Sequence, residues 1–439
     1  MLEAVKYKIA SPVSKWVDFL VFASIFISSY NFFRYPFEAY FHYLIFIALL
    51  PFFFVKYGAP KLVIQVLMIP FFVGIINVGI GNCDQFAFIK VSGGLFISLL
   101  FYQYVMLFYN FDVKRLFELY VKWCYWLTIL GLIQVVSYQI GFKYGYDYTW
   151  IFNKWKITEG GLWEIRVNSI FAEPSQMAIV IAPAVYVAVY NILHKQNFIL
   201  NKKQSLLLLL GLLLTASSTG YIGAILAFLF VSDSFRVRNV LVGVLIAGAM
   251  IFVAYTYVEE FQVRSDSARA LWVDQDFRIE NTNNSSFVLY NNLHIATENI
   301  KEHLFFGTGL GSHETAFEKY SLTNTVVLYD FAFNKQDANS MFVRLMSETG
   351  IFGIGFILLF IFRFYIRKQE VKELNEHRII SQALLVIILL TLLRQGNYLL
   401  NGFPLIMLMY YYNKWVFNKA KMAIQSREDQ DKVELEIIT

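Results

Sequence analysis

Glu173 stands in IFAEPSQMAIVIAP, a carboxylate in an otherwise apolar run, and Arg166 lies just ahead of it. A second group follows in GTGLGSHETAFEKY (307–320) and NKQDANSMFVRLMSETGIFGIG (334–355), which carry His313, Asp337, Asn339, Arg344 and Glu348. An ionisable side chain in a membrane span costs a few kcal/mol and normally faces a cavity or a partner, so each of these is a functional candidate. Each also has a plainer reading. Glu173 followed by Pro174 is a helix-start device, with the carboxylate near the positive end of the dipole. Arg166 is a headgroup anchor. Arg344 and Glu348 form an i, i+4 pair whose charges cancel. Gly307, Gly309 and Gly311 allow a tight loop with exposed N–H groups, a weak anion-nest signal.

These residues sit in a chain of 439 amino acids that is 57% hydrophobic, 18% aromatic and only 16% charged, with a mean hydropathy of +0.51. Such a composition excludes a soluble enzyme and a disordered chain alike. The net charge of +5 is small and its basic residues are scattered around apolar runs, which argues against nucleic acid as a partner. Cys83 and Cys124 alone make neither a disulfide framework nor a thiol metal site. The expected fold is an all-α polytopic membrane protein forming one integral membrane domain over 1–439.

At about 20 apolar residues per crossing, spans are predicted near 16–33, 37–55, 61–81, 86–109, 121–140 and 170–193, the first of them retained rather than cleaved. The run 205–232 reads either as one long helix or as two short ones turning at Ser217, Ser218, Thr219 and Gly220. Charge decides between them. With a cytoplasmic N-terminus and a hairpin at 205–232, followed by spans near 239–258, 340–366, 379–399 and 403–417, more than half of the 37 Lys and Arg fall inside. A single helix would put the later basic clusters outside. The reading is therefore about twelve spans, with external loops at 141–169 and 259–338 and a cytoplasmic tail at 418–439. Within the larger loop Leu289, Leu293, Ala296, Ile300 and Leu304 recur at helical spacing, with Asn291, Asn292, Glu298, Asn299 and Lys301 on other faces. This predicts short helices lying along the membrane surface or capping a cavity.

The order of motifs resembles the O-antigen polymerase and ligase superfamily, the Wzy-type membrane glycosyltransferases. An Arg precedes an F-x-E-P-S-x-x-A span; a serine-bearing hairpin follows (LLLTASSTGYIGAILAFL), then a large external loop ending in F-x-G-x-G-L-G, then N-S-x-x-x-R-x-x-S-E-x-G-x-x-G. The motifs cover about 160–360. Many members have a His-Asn pair at the start of the late span, whereas Ala338 precedes Asn339 here, so His313 is the available substitute for the missing histidine.

The resemblance implies transfer of a growing glycan from undecaprenyl pyrophosphate to a hydroxyl of a second lipid-linked repeat, at the outer face of a bacterial cytoplasmic membrane. Arg166 and Arg344 would bind the pyrophosphate leaving group, with Asp337, Asn339 and Glu348 lining the substrate. His313 and Glu173 are the candidate bases. Implied partners are undecaprenyl-pyrophosphate-linked glycans, membrane lipids, a chain-length regulator and a flippase. The close alternative is a ligase acting on lipid A core; a transporter of the same lipid-linked sugars is the competing class.

No cofactor is expected. Asp274 and Asp276 form an Asp-x-Asp, but the same spacing recurs at Asp429 and Asp431 in the tail, so it is not read as a metal site. His42, His194, His294, His303 and His377 have no zinc spacing.

Overall fold

A computed structural model describes residues 12–33, 39–161, 163–232, 248, 252, 255–256, 259–275, 283–325 and 334–438. Apolar runs can satisfy their backbone groups in lipid only by closing them into helices, and the described chain is overwhelmingly helical. Its helices are α1 (Pro12–Phe26), α2 (Phe41–Tyr57), α3 (Lys61–Gly79), α4 (Gln85–Phe108), α5 (Val113–Gln139), the short α6 (Lys143–Tyr146), α7 (Pro174–His194), α8 (Lys202–Leu214) and α9 (Ser218–Val231). Then come α10 (Glu259–Trp272), α11 (Asn284–Glu302), α12 (His313–Tyr320), α13 (Met341–Phe364), α14 (Lys372–Arg394) and α15 (Phe403–Ile438). Among the described residues α3, α4, α5, α7, α13 and α14 are long and apolar enough to cross a membrane, and α2 and α9 are shorter apolar helices.

Polar caps set where several helices begin. Asp84 accepts from the N–H of Ala87 at 2.8 Å to start α4, and Asp112 from that of Arg115 at 3.0 Å to start α5. Asn201 and Gln204 make a reciprocal capping box on α8. The most enclosed helices are α7 and α14, whose apolar windows are 78% and 83% buried, against 17% for α3. The bundle is thus built around the pair α7 and α14, with α3 at its rim.

Contacts between distant segments sort the two ends of the bundle. At one end Tyr109 and Arg115 bind Asp18, Lys114 pairs with Glu376, and His377 Nδ1 lies 2.7 Å from Asn413 Oδ1. At the other, Tyr30 donates to the Ile170 carbonyl at 2.5 Å, and the Gln176 amide donates to Ser29 and Asn401, both at 2.9 Å. The basic residues of the first group share the end that the charge count assigns to the cytoplasm.

The predicted hairpin at 205–232 is found as α8 and α9, broken at 215–217, where Ala216 takes a positive φ of 44°. Other boundaries move. The first span stops at Phe26 instead of running to 33, and Asn31–Phe33 pairs antiparallel with Ala39–Tyr40 as a two-stranded ribbon. Asn31 is fully buried there, its Oδ1 accepting from the Asn153 amide of the 141–169 loop at 2.7 Å, so a tertiary contact overrides the helical run. The stretch 259–338 is not limited to short interfacial helices, because α11 is 19 residues long and packs against α13. The tail after 417 continues α15 as helix; its sequence has neither Gly nor Pro to stop one. Most of the predicted span 239–258, the basic residues Lys6, Lys8, Arg236 and Arg238, and Asp276 lie outside the described residues.

Candidate active site

Helix α13 begins at Ser340, whose hydroxyl caps the N–H of Val343 at 3.3 Å and donates to the Leu392 carbonyl of α14 at 2.7 Å. One turn later Arg344 points into the bundle. Its Nε donates to Glu348 Oε1 at 2.9 Å and its Nη1 to the Gly396 carbonyl at 3.0 Å, while its guanidinium carbon stands 4.4 Å above the Tyr398 ring. Tyr398 in turn donates to Glu348 Oε2 at 2.9 Å. Gly396 has no alternative residue: a Cβ there would lie 1.4 Å from the Asp337 carbonyl oxygen. Arg344, Glu348, Tyr398 and the Asp337 backbone are therefore one packed unit. Asp337 Oδ1 accepts from the Asn334 amide at 2.7 Å and the N–H of Asn339 at 3.2 Å, a turn in which Ala338 and Asn339 both have φ of 56°.

Gly350 breaks α13 with φ 60° and ψ −154°. The carbonyls of Ser347 and Glu348, freed from the helix ladder, accept from the N–H groups of Thr308 at 3.3 Å and Gly309 at 2.8 Å. In return Ile351 and Phe352 donate to Leu304 and Phe305 at 3.0 and 3.1 Å. The glycine-rich loop is thus a backbone splice and not an anion nest, because the N–H of Gly307 is also spent, on the His303 carbonyl at 3.1 Å. A Cβ on Gly309 would lie 3.0 Å from Gly74 Cα of α3, and one on Gly311 2.6 Å from the Ala87 carbonyl oxygen of α4. Close approach to three helices requires these glycines.

His313 follows directly and is fully buried. Its Nε2 lies 2.8 Å from Asn292 Oδ1, an acceptor, so Nε2 carries the proton and Nδ1 keeps a lone pair; Nδ1 has no hydrogen-bond partner. Burial, with the positive charge of Arg344 adding to it, pushes the His313 pKa down to about 3. The imidazole is neutral at physiological pH. The predicted helix carrying Asn292 forms and Ala296 of its apolar stripe is buried, but so is part of the face expected to be polar. Asn291, Asn292 and Asn299 are buried while Leu304 is exposed, because each amide finds a partner: Ser321 at 3.1 Å, His313, and Thr308 with the Ser347 carbonyl, both at 2.9 Å.

Glu173 occupies the N-cap position of α7, ahead of Pro174 at N1, but its carboxylate does not cap the helix. It is exposed and accepts from the Ser175 hydroxyl at 3.2 Å. Arg166, half-buried, lies against the α8–α9 turn, its Nε donating to the Thr215 carbonyl at 3.2 Å. Sequence reading missed Arg394, the last residue of α14. Glu173 is close enough to Arg394 for its charge to act on it. The signal was the one that singled out Glu173: an ionisable side chain inside a predicted apolar span, here 379–399.

The structure joins Arg344 to Glu348, puts His313 within the field of Arg344, and puts Arg394 within that of Glu173; the described Arg166 bond leads instead to α8. Among the described residues no group of His, Cys, Asp and Glu is arranged to hold a metal ion.

Residues 205–359, from α8 through most of α13, match the family model described as O-antigen ligase. That segment contains the hairpin, the glycine loop and the Arg344–Glu348 pair, and the chain's resemblance to the O-antigen polymerase and ligase superfamily stands on it. No curated protein matches the chain.

Proposed function

We propose that this protein is a polymerase that transfers a glycan from undecaprenyl pyrophosphate to a sugar hydroxyl of a second lipid-linked repeat, at the outer face of the cytoplasmic membrane. The observation that carries this reading is the family match over 205–359, the stretch that holds Arg344, Glu348 and His313, with Tyr398 joining Glu348 from beyond it. In the reaction the anomeric C–O bond to the pyrophosphate breaks, the acceptor oxygen forms the glycosidic bond, and the acceptor proton passes to a base. Undecaprenyl pyrophosphate departs with the bond's electron pair.

Guanidinium groups meet the charge that develops on that leaving group without a metal ion. Arg166 keeps its role as a ligand of the pyrophosphate. Arg344 has Nε and Nη1 engaged and a ring on its face, so its contribution is a fixed positive charge in a low-dielectric site. Asp337 and Asn339 shape the turn beside it and Glu348 balances it. Glu173 is the better base for an incoming hydroxyl, being exposed where His313 is enclosed. His313 orients its neighbours and becomes a base only if the glycine loop opens. A chain-length regulator and a flippase remain proposed partners, and the active site is proposed to face the periplasm.

The description of the matching family favours a second reading, a ligase that moves the finished glycan to lipid A core. Purified protein given an undecaprenyl-pyrophosphate repeat alone and then with lipid A core separates the two. Elongation without lipid A core is expected; product only with lipid A core would assign the ligase.

A further inference from the structure

We infer that the inner ends of α13 and α15 hold the phosphate headgroup of an anionic phospholipid between Arg363, Arg367, Lys414 and Lys421.

These residues lie at the end of the bundle that the charge count assigns to the cytoplasm. Asn413, next to Lys414, is bonded to His377, and Glu376 beside it pairs with Lys114. Helix α13 stops at Phe364 and the chain continues extended at Tyr365. Lys414 Nζ donates to the Tyr365 carbonyl at 3.3 Å, which fixes that ammonium against the backbone midway between Arg363 and Arg367. Ile366, fully buried, packs with Phe417, Ala420 and Ile424 of α15, so Arg367 and Lys421 flank one small core. The last turn of α13 is held to α15 as well: Tyr410 donates to the Ile361 carbonyl at 2.9 Å, and the Phe364 and Tyr411 rings lie 4.9 Å apart. The charges of Arg363, Lys421 and Arg367 all act on Lys414.

Like charges gathered by backbone and core contacts repel one another and call for a countercharge. Among the described residues none of these four forms a salt bridge with a carboxylate. The C-terminal dipole of α13 offers Arg363 a partial negative charge, but that effect fades within one turn and leaves the other three unanswered. A phosphate fits, because a guanidinium binds it through paired N–H groups and an ammonium as a point charge.

The surface beside the cations says what carries the phosphate. Phe356, Leu359 and Arg363 follow one another at helical spacing on one face of α13, and Phe356 and Leu359 are 62% and 70% exposed. An apolar stripe of this kind, ending in a cation, accommodates an acyl chain below its headgroup. Trp415 marks the headgroup level, with Lys419 Nζ 3.5 Å from its ring centroid. An acidic protein segment would match the charges and leave the stripe unused.

The plainer role is topological, cations that keep this end inside. That role depends on their number and not on their convergence, and it predicts no lipid selectivity. The test places the full chain in nanodiscs of equal phosphatidylglycerol and phosphatidylcholine and counts retained lipids by native mass spectrometry. Wild type is expected to retain phosphatidylglycerol in clear excess. Arg367→Gln with Lys414→Gln should cut that excess by about fivefold for each charge removed. Lys202→Gln with Lys203→Gln, exposed cations assigned to the same end, should leave it unchanged. Equal retention of the two lipids by wild type, or the same loss from the Lys202 and Lys203 pair, would overturn the site. Should the first pair fail to fold, exposed Lys421→Gln decides: about a fivefold loss supports the site and no change overturns it.

Discussion

Arg344 and Glu348, one turn apart on α13, form an ion pair at 2.9 Å with side chains only 4% and 0% exposed. Removing one partner leaves an uncompensated charge in the bundle, whereas removing both can be nearly neutral. Arg344→Gln and Glu348→Gln should each lower stability, by about 3–5 kcal/mol. The double replacement Arg344→Met with Glu348→Leu should regain most of it in thermal unfolding and still lack activity. Additive losses in the double variant would contradict a coupled pair.

The expectation for His313 is set by its pKa of about 3 against an ordinary 6.5. Above pH 6.5 both folded and unfolded chains hold it neutral. Between pH 6.5 and about 3 the unfolded chain takes up a proton that the folded site refuses, so stability is lost as pH falls through that window. His313→Gln, which keeps a donor for Asn292, should flatten the pH dependence of unfolding there. A slope identical to wild type would mean that His313 titrates freely.

The splice between the glycine loop and α13 makes one glycine essential and another dispensable. At Gly350 φ is 60° and a Cβ would sit 2.6 Å from the Leu304 carbonyl oxygen; at Gly355 nothing lies within 4 Å. Gly350→Ala is expected to cost several kcal/mol and reduce folded yield. Gly355→Ala should be neutral or add about 0.5–1 kcal/mol. Equal behaviour of the two in a thermal melt would remove the splice from the account.

Much of this was legible in the sequence where a single element sufficed. Apolar length located α3, α4, α7 and α13 to within a few residues, and charge asymmetry resolved 205–232 into two short helices. What could not be read were partners distant in sequence. Nothing local announces that Arg344 will meet Gly396 and Tyr398, or that the Asn face of α11 will turn inward to meet His313 and Ser347. Glycine spacing suggested exposed N–H groups, but the Gly309 N–H meets a carbonyl freed by the break at Gly350 and the Gly307 N–H meets the His303 carbonyl at the end of α11. Arg394 could have been found by the rule that found Glu173, since it too is an ionisable side chain inside a predicted span.

The twelve-span topology is checked by reporter fusions at 150, 300 and 430. External signals are expected at 150 and 300 and a cytoplasmic one at 430. An external signal at 430 would refute the even count.

The most direct measurement of the central claim follows a purified chain, in sealed vesicles, acting on an undecaprenyl-pyrophosphate repeat unit labelled in its sugar. New glycosidic bonds, release of undecaprenyl pyrophosphate and activity that survives EDTA are the predicted result. Transfer of intact substrate across the vesicle with no longer glycan would contradict it and make the protein a transporter, while EDTA-sensitive synthesis restored by Mg²⁺ or Mn²⁺ would contradict metal-independent transfer by the arginines.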